Sequence, residues 1–123
     1  MSEMINKNLL MVLSTLLMLS TTNAGEVSVT AVKVNCNAQR VCDFAVTLSH
    51  ADSGWEHYAN RFEILSPDKK VLGTRVLHHP HVNEQPFTRS LSGVKVPPAL
   101  KTVWVQGHDN VHGAGEVKRV DLP

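Results

Sequence analysis

The sequence predicts an all-β domain, an immunoglobulin-like sandwich of about seven antiparallel strands, behind a cleaved signal peptide. Three observations carry this. No helical stripe of apolar residues occurs after residue 24. Short runs of Val, Leu, Ile, Phe and Thr are instead broken roughly every eight to twelve residues by Gly, Pro, Asn, Asp or Ser. Several runs alternate apolar with polar at period 2, the pattern of a sheet with one face buried and one wet.

Taken in order, run one covers residues 27–34. Run two, 41–48, sends Cys42, Phe44, Val46 and Leu48 inward and Asp43, Ala45 and Thr47 outward. Run three, 58–65, alternates Phe62 and Ile64 against Arg61 and Glu63. Run four, 71–77, is entered through the turn Ser66-Pro67-Asp68-Lys69-Lys70. Run five is 87–94. Run six, 102–107, sets Val103 and Val105 against Trp104 and Gln106, and run seven is 117–122. Pro97-Pro98 falls in the link between runs five and six, where neither blocks a central ladder. A closed barrel is the alternative architecture.

The N-terminal segment reads as an address. Residues 1–8 supply a cation at Lys7, residues 9–19 are an apolar run, and Thr22-Asn23-Ala24 places small residues before a cut at Gly25. That run is well short of the ~20 residues of a permanent transmembrane helix. The expected division is residues 1–24 as signal peptide and 25–123 as one β-sandwich domain, periplasmic or secreted, with no membrane insertion after cleavage. The formal charge is +1, which gives no electrostatic case for nucleic acid or an anionic surface. Cys36 and Cys42 are the only cysteines and, in an exported chain, read as a disulfide. Their five-residue spacing exceeds the usual zinc knuckle.

The seven histidines are informative by position. If successive strands alternate in direction, the connections two-three, four-five and six-seven share one pole of the sandwich. His50 and His57 bracket the first, His78, His79 and His81 open the second, and His108 and His112 occupy the third. Imidazole is the commonest neutral ligand of Zn²⁺ and Cu²⁺, and loops on a rigid scaffold can bring several together. His79-Pro80-His81 is an extended pair projecting to one side. The expected metal ligands are His57, His79, His81, His108 and His112. His50 and His78, as lone loop histidines, are expected to be solvated. Asp52, Glu56, Glu84 and Asp109 share the pole as acceptors for the distal ring N–H, or as ligands themselves.

All four methionines lie at positions 1, 4, 11 and 18, so a processed chain has no thioether, and bridged cysteines offer no thiolate. A Cu(I) carrier and a blue-copper centre are therefore disfavoured, and an imidazole site for Cu(II) or Zn(II) remains. A terminus at Gly25 also gives no amino-terminal histidine. The chain has no G-x-S-x-G elbow, no H-E-x-x-H pair and no free Cys-His arrangement.

The segments Gly54-Trp55-Glu56-His57-Tyr58-Ala59, Gly73-Thr74-Arg75-Val76-Leu77-His78-His79-Pro80-His81 and Glu84-Gln85-Pro86-Phe87-Thr88-Arg89-Ser90-Leu91, with the His108-Asp109 turn, resemble a group of small exported bacterial proteins of uncharacterised activity. The resemblance spans roughly residues 50–113 and implies an exported β-domain. The residues themselves support two readings. One is a His-rich protein that sequesters, buffers or delivers Cu(II) or Zn(II). The other is an immunoglobulin-like module contacting another exported protein through Trp55, Tyr58 and Phe87.

Overall fold

The computed structural model describes residues 25–123, and the expected signal peptide lies outside them. In chain order the strands are β1 (Ser28–Cys36), β2 (Val41–Ser49), β3 (Ala59–Leu65), β4 (Val71–Val76), β5 (Phe87–Lys95), β6 (Thr102–Asp109), β7 (Gly113–Ala114) and β8 (Lys118–Asp121). They form two antiparallel sheets. One has the order β1-β2-β5; the other runs β4-β3-β6-β7, with β8 also paired to β6. The chain crosses between sheets after β2, returns after β4 and crosses again after β5, which is a Greek-key sandwich. The expected all-β sandwich is therefore present. The one addition is β7, two residues folded back on β6 inside the last histidine-bearing connection.

Alternation builds the core. On β2, Cys42, Phe44, Val46 and Leu48 are all buried, while Asp43 faces water. On β3 and β6, Phe62, Ile64, Val103 and Val105 meet them from the other sheet. Phe44, Phe62 and Phe87 are the largest fully buried side chains, and each removes about 2–3 kcal/mol worth of apolar surface from water. Cys36 and Cys42 are register partners at the end of the β1–β2 hairpin and form the disulfide. Asn37 closes the turn between them, its side-chain oxygen accepting from the N–H groups of Gln39 and Val41.

At the opposite end of that hairpin, the segment before β1 is pinned. Val27 is 1% exposed. A Cβ on Gly107 would lie 2.4 Å from its Cγ1, and one on Gly115 would lie 2.2 Å from its carbonyl oxygen. Only glycine admits Val27 at both positions, and this close approach holds residues 25–27 across the mouth of the histidine pole. Gly115→Ala should therefore cost about 1–3 kcal/mol, since the obstacle is backbone and cannot rotate away. Chemical denaturation checks it, and an unchanged midpoint would mean that this segment is not held.

Candidate metal centre

The pole is assembled by three chain reversals around one imidazole. His50 follows β2 directly and is buried, at 5% exposure, contrary to the expectation that it would be solvated. The reason is local: its backbone N–H donates to the Gln85 side chain at 3.0 Å, which draws the next loop over it. Its ring has oxygen acceptors at both ends. Nδ1 donates to Asp52 Oδ1, and Nε2 lies 2.9 Å from the Gly25 carbonyl and 3.3 Å from Asp109 Oδ2.

Asp52 is the anchor of the arrangement. Besides His50, its Oδ1 accepts from the Ala59 N–H at 3.0 Å, which fixes the start of β3. Its Oδ2 accepts from the His81 N–H at 2.7 Å, which fixes the loop between β4 and β5. One buried carboxylate thus ties three connections together. It also orients His50: with Nδ1–H held by the carboxylate, Nε2, which donates to the Gly25 carbonyl, is the nitrogen that could coordinate once its hydrogen is given up, as in carboxylate–histidine–metal triads.

Asp109, the last residue of β6, supplies the second carboxylate. Its Oδ1 accepts from the N–H groups of Val111 (2.7 Å) and His112, an Asx turn that shapes the link to β7. Its Oδ2 is buried and, among the described residues, receives no hydrogen bond, although His50 Nε2 and His112 Nδ1 stand 3.3 and 3.4 Å away. Burial by itself would raise the pKa of this carboxyl. The backbone N–H groups of His112 and Val111, with the nearby His50 and His112 rings, outweigh that and hold it below the ordinary value. Asp109 is therefore favoured as a carboxylate, the form that can serve as an oxygen donor.

Two more imidazoles face it. His57 Nε2 lies 3.7 Å from Asp109 Oδ1 and 3.1 Å from His112 Nδ1, and His112 Nδ1 lies 3.4 Å from Asp109 Oδ2. The His50 and His57 rings meet edge to face with centroids 4.7 Å apart, and His57 tilts against His112 at 4.8 Å. One ligand atom from each of His50, His57 and Asp109 falls within 4.8 Å of the others. Tetrahedral coordination with metal–ligand bonds of 2.0–2.1 Å puts neighbouring donors about 3.3 Å apart. His50 Nε2 and His112 Nδ1, at 3.3 and 3.4 Å from Asp109 Oδ2, are close to that edge, whereas the donors of His50, His57 and Asp109 are held only within 4.8 Å of one another and would have to draw together. The three side chains could hold one metal ion.

The five expected ligands are divided by the fold. His57 and His112 join His50 and Asp109. His79 and His81 form a separate pair, ring centroids 4.8 Å apart. His81 is buried, stacks on Phe87 at 4.0 Å, and takes Arg89 at 2.9 Å on Nε2, while Arg89 also pairs with Glu84 at 3.1 Å. His108 turns to the outer face of its sheet and binds Glu63 on β3 at 2.9 Å. Convergence of His79, His81 and His108 with His57 is therefore not seen, because strand pleating and Arg89 direct them elsewhere. His78 is exposed, as expected. Phe87, expected as a contact residue, is 2% exposed and belongs to the core.

Sequence reasoning passed over His50 as a ligand and left Asp109 undecided between ligand and acceptor. A usable signal was present in His50-x-Asp52 at the end of an apolar strand, where a polar pair just behind Leu48 stays close to the core.

Over 90 residues, 73% of this chain, the sequence is 38% identical to a protein of Halomicrobium mukohataei described as "Putative lipoprotein". The match covers 44% of that protein, so the chain spans less than half the relative's length. No family model matches the chain. No solved structure matches it either.

Two histidines outside the cluster have a consequence for stability. Desolvation, with Arg89 and His79 nearby, lowers the pKa of His81 below the ordinary 6.5; desolvation and Arg61 lower that of His108, against the pull of Glu63. The unfolded chain then binds more protons than the folded one as pH drops below 6.5. Stability is full above that point and declines as pH falls toward the depressed folded values. Asp109 adds a separate loss below 3.8, its ordinary value, as pH falls through its folded pKa. Melting curves from about pH 7.5 to about pH 4.5 should show the first decline, and His81→Asn should flatten it. Equal slopes in the two proteins would remove His81 as a source.

Proposed function

We propose that this is an exported metal-binding protein that holds one Cu(II) or Zn(II) ion at His50, His57 and Asp109, with His112 as a fourth donor, for sequestration, buffering or delivery. The observation that carries this is Asp109 Oδ2. It is a buried oxygen that receives no hydrogen bond among the described residues and lies 3.3 and 3.4 Å from two imidazole nitrogens, of His50 and His112. Leaving such a group uncompensated is costly, and a cation among the three side chains compensates it.

The donor set supports the choice of metal. Imidazole nitrogen and carboxylate oxygen, with both cysteines bridged, suit Cu(II) or Zn(II) rather than Cu(I). Export rests on the three-zone layout of residues 1–24, on the disulfide, and on the similarity to a protein described as a lipoprotein. A second reading, a protein-contact module, has one observation in its favour. Trp55 is 63% exposed on this pole, held in place by Asn110 donating to its carbonyl at 2.9 Å and by the edge of Tyr58. Val82 and Val111, in neighbouring loops, are also exposed.

Calorimetric titration of the purified protein with Zn²⁺ and Cu²⁺ should give one tight site. A ligand at 100 times its Kd should stabilise the fold by about 2.7 kcal/mol, reversed by chelator. Asp109→Asn should weaken uptake by about 100-fold or more, since it removes the only anionic donor. Asp52→Asn should cost about 10–100-fold through loss of the His50 orientation. His79→Ala/His81→Ala should leave the affinity unchanged. Failure of the unsubstituted protein to bind either metal would sink the reading.

A further inference from the structure

The metal centre has a neighbour that side-chain chemistry does not include. The Gly25 carbonyl oxygen sits 2.9 Å from His50 Nε2, and a Cβ built on Gly25 would touch the His112 ring at 2.7 Å from Cε1. Gly25 therefore packs directly on two of the four donors. This contact calls for glycine, since a Cβ has no room against the His112 ring. The placement is not incidental to a loose end, because Val27, two residues on, is locked against Gly107 and Gly115.

Gly25 is also the residue that the leader's cut would expose. As an amide, its nitrogen carries a delocalised lone pair and is a poor ligand. Hydrolysis of the Ala24–Gly25 bond adds one water: the carboxylate leaves with the leader, and an ammonium remains on Gly25. When a metal binds, that ammonium gives its proton to solvent and its lone pair to the ion. The nitrogen and carbonyl oxygen of one glycine then close a five-membered chelate ring. With bonds of about 2.0 Å, adjacent donors in a square plane sit about 2.8 Å apart, close to the oxygen-to-His50 spacing now seen.

We propose that the α-amino group of Gly25, created by removal of the leader, is a ligand of the same metal centre, so that processing completes the site and tunes it toward Cu(II). The inference rests on the metal-binding reading above and on the cut before Gly25. The preference follows from the donors: amine plus imidazole nitrogens in a tetragonal arrangement favour Cu(II) over Zn(II). It also ties loading to export, because the unprocessed chain lacks one donor.

The test uses the full chain, expressed with its own leader and purified after export, with the amino terminus read by mass spectrometry. A second version carries Ala-Ser inserted between Ala24 and Gly25, so that the mature chain begins two residues earlier. Both are titrated with Cu²⁺ and examined by electron paramagnetic resonance. The native terminus should bind Cu(II) at least tenfold more tightly and show one more coupled nitrogen. The Zn²⁺ affinities should differ less. Equal Cu²⁺ affinity and identical spectra in the two proteins would overturn the amine as a ligand while leaving the side-chain site intact. A terminus other than Gly25 in the native protein overturns it as well. Absence of metal uptake in both would instead refute the metal-binding reading on which the inference stands.

Discussion

The histidine pole depends on a buried imidazole set between two buried carboxylates. Asp52 on one side of His50 and Asp109 on the other both have fully buried side chains. Carboxylates buried this deeply need hydrogen-bond donors or a cation beside them, and the His50 ring stands between the two. Asp52 has its own hydrogen-bond donors in the His50 ring and the N–H groups of Ala59 and His81. Asp109 has backbone donors on one oxygen alone. That asymmetry separates the carboxylate that orients from the carboxylate that could hold a cation.

The sandwich makes this possible by keeping the charged cluster off the moving parts. His50 extends directly from β2, Asp109 ends β6, and Ala59 begins β3, so three central strands carry the frame. His57 and His112 come from the links between strands and sit nearer to solvent. The group is thus built with an inner half on strands and an outer half on links nearer to solvent.

Much of the architecture was legible in the sequence, for a simple reason. Period-2 alternation in β2, β3 and β6 reports directly which side chains face the core, and Phe44, Phe62 and Val105 are buried as their positions require. The gathering of histidines at one pole followed from strand alternation alone. Their partition did not. Whether His81 joins His57 depends on Arg89 and Phe87, eight and six residues further on, and on a carboxylate twenty-nine residues earlier. His108 was lost to the cluster because β6 continues two residues past its expected end, which returns its side chain to the outer face opposite Glu63. Burial of His50 was hidden for a similar reason: loop residues look exposed in sequence, and only the fold shows that Gln85 and Gly25 close over this one.

The disulfide lies at the far end of the same strand that leads to the centre. From Cys42 to His50 along β2 is roughly 25 Å at about 3.3 Å per residue. Thiols and Cu(II) are incompatible neighbours, since the thiol gives up an electron and the ion leaves as Cu(I). With sulfur and imidazole at opposite ends of a nine-residue strand, a Cu(II) ion held as proposed at the histidine pole would stand clear of the thiols of Cys36 and Cys42 before they close.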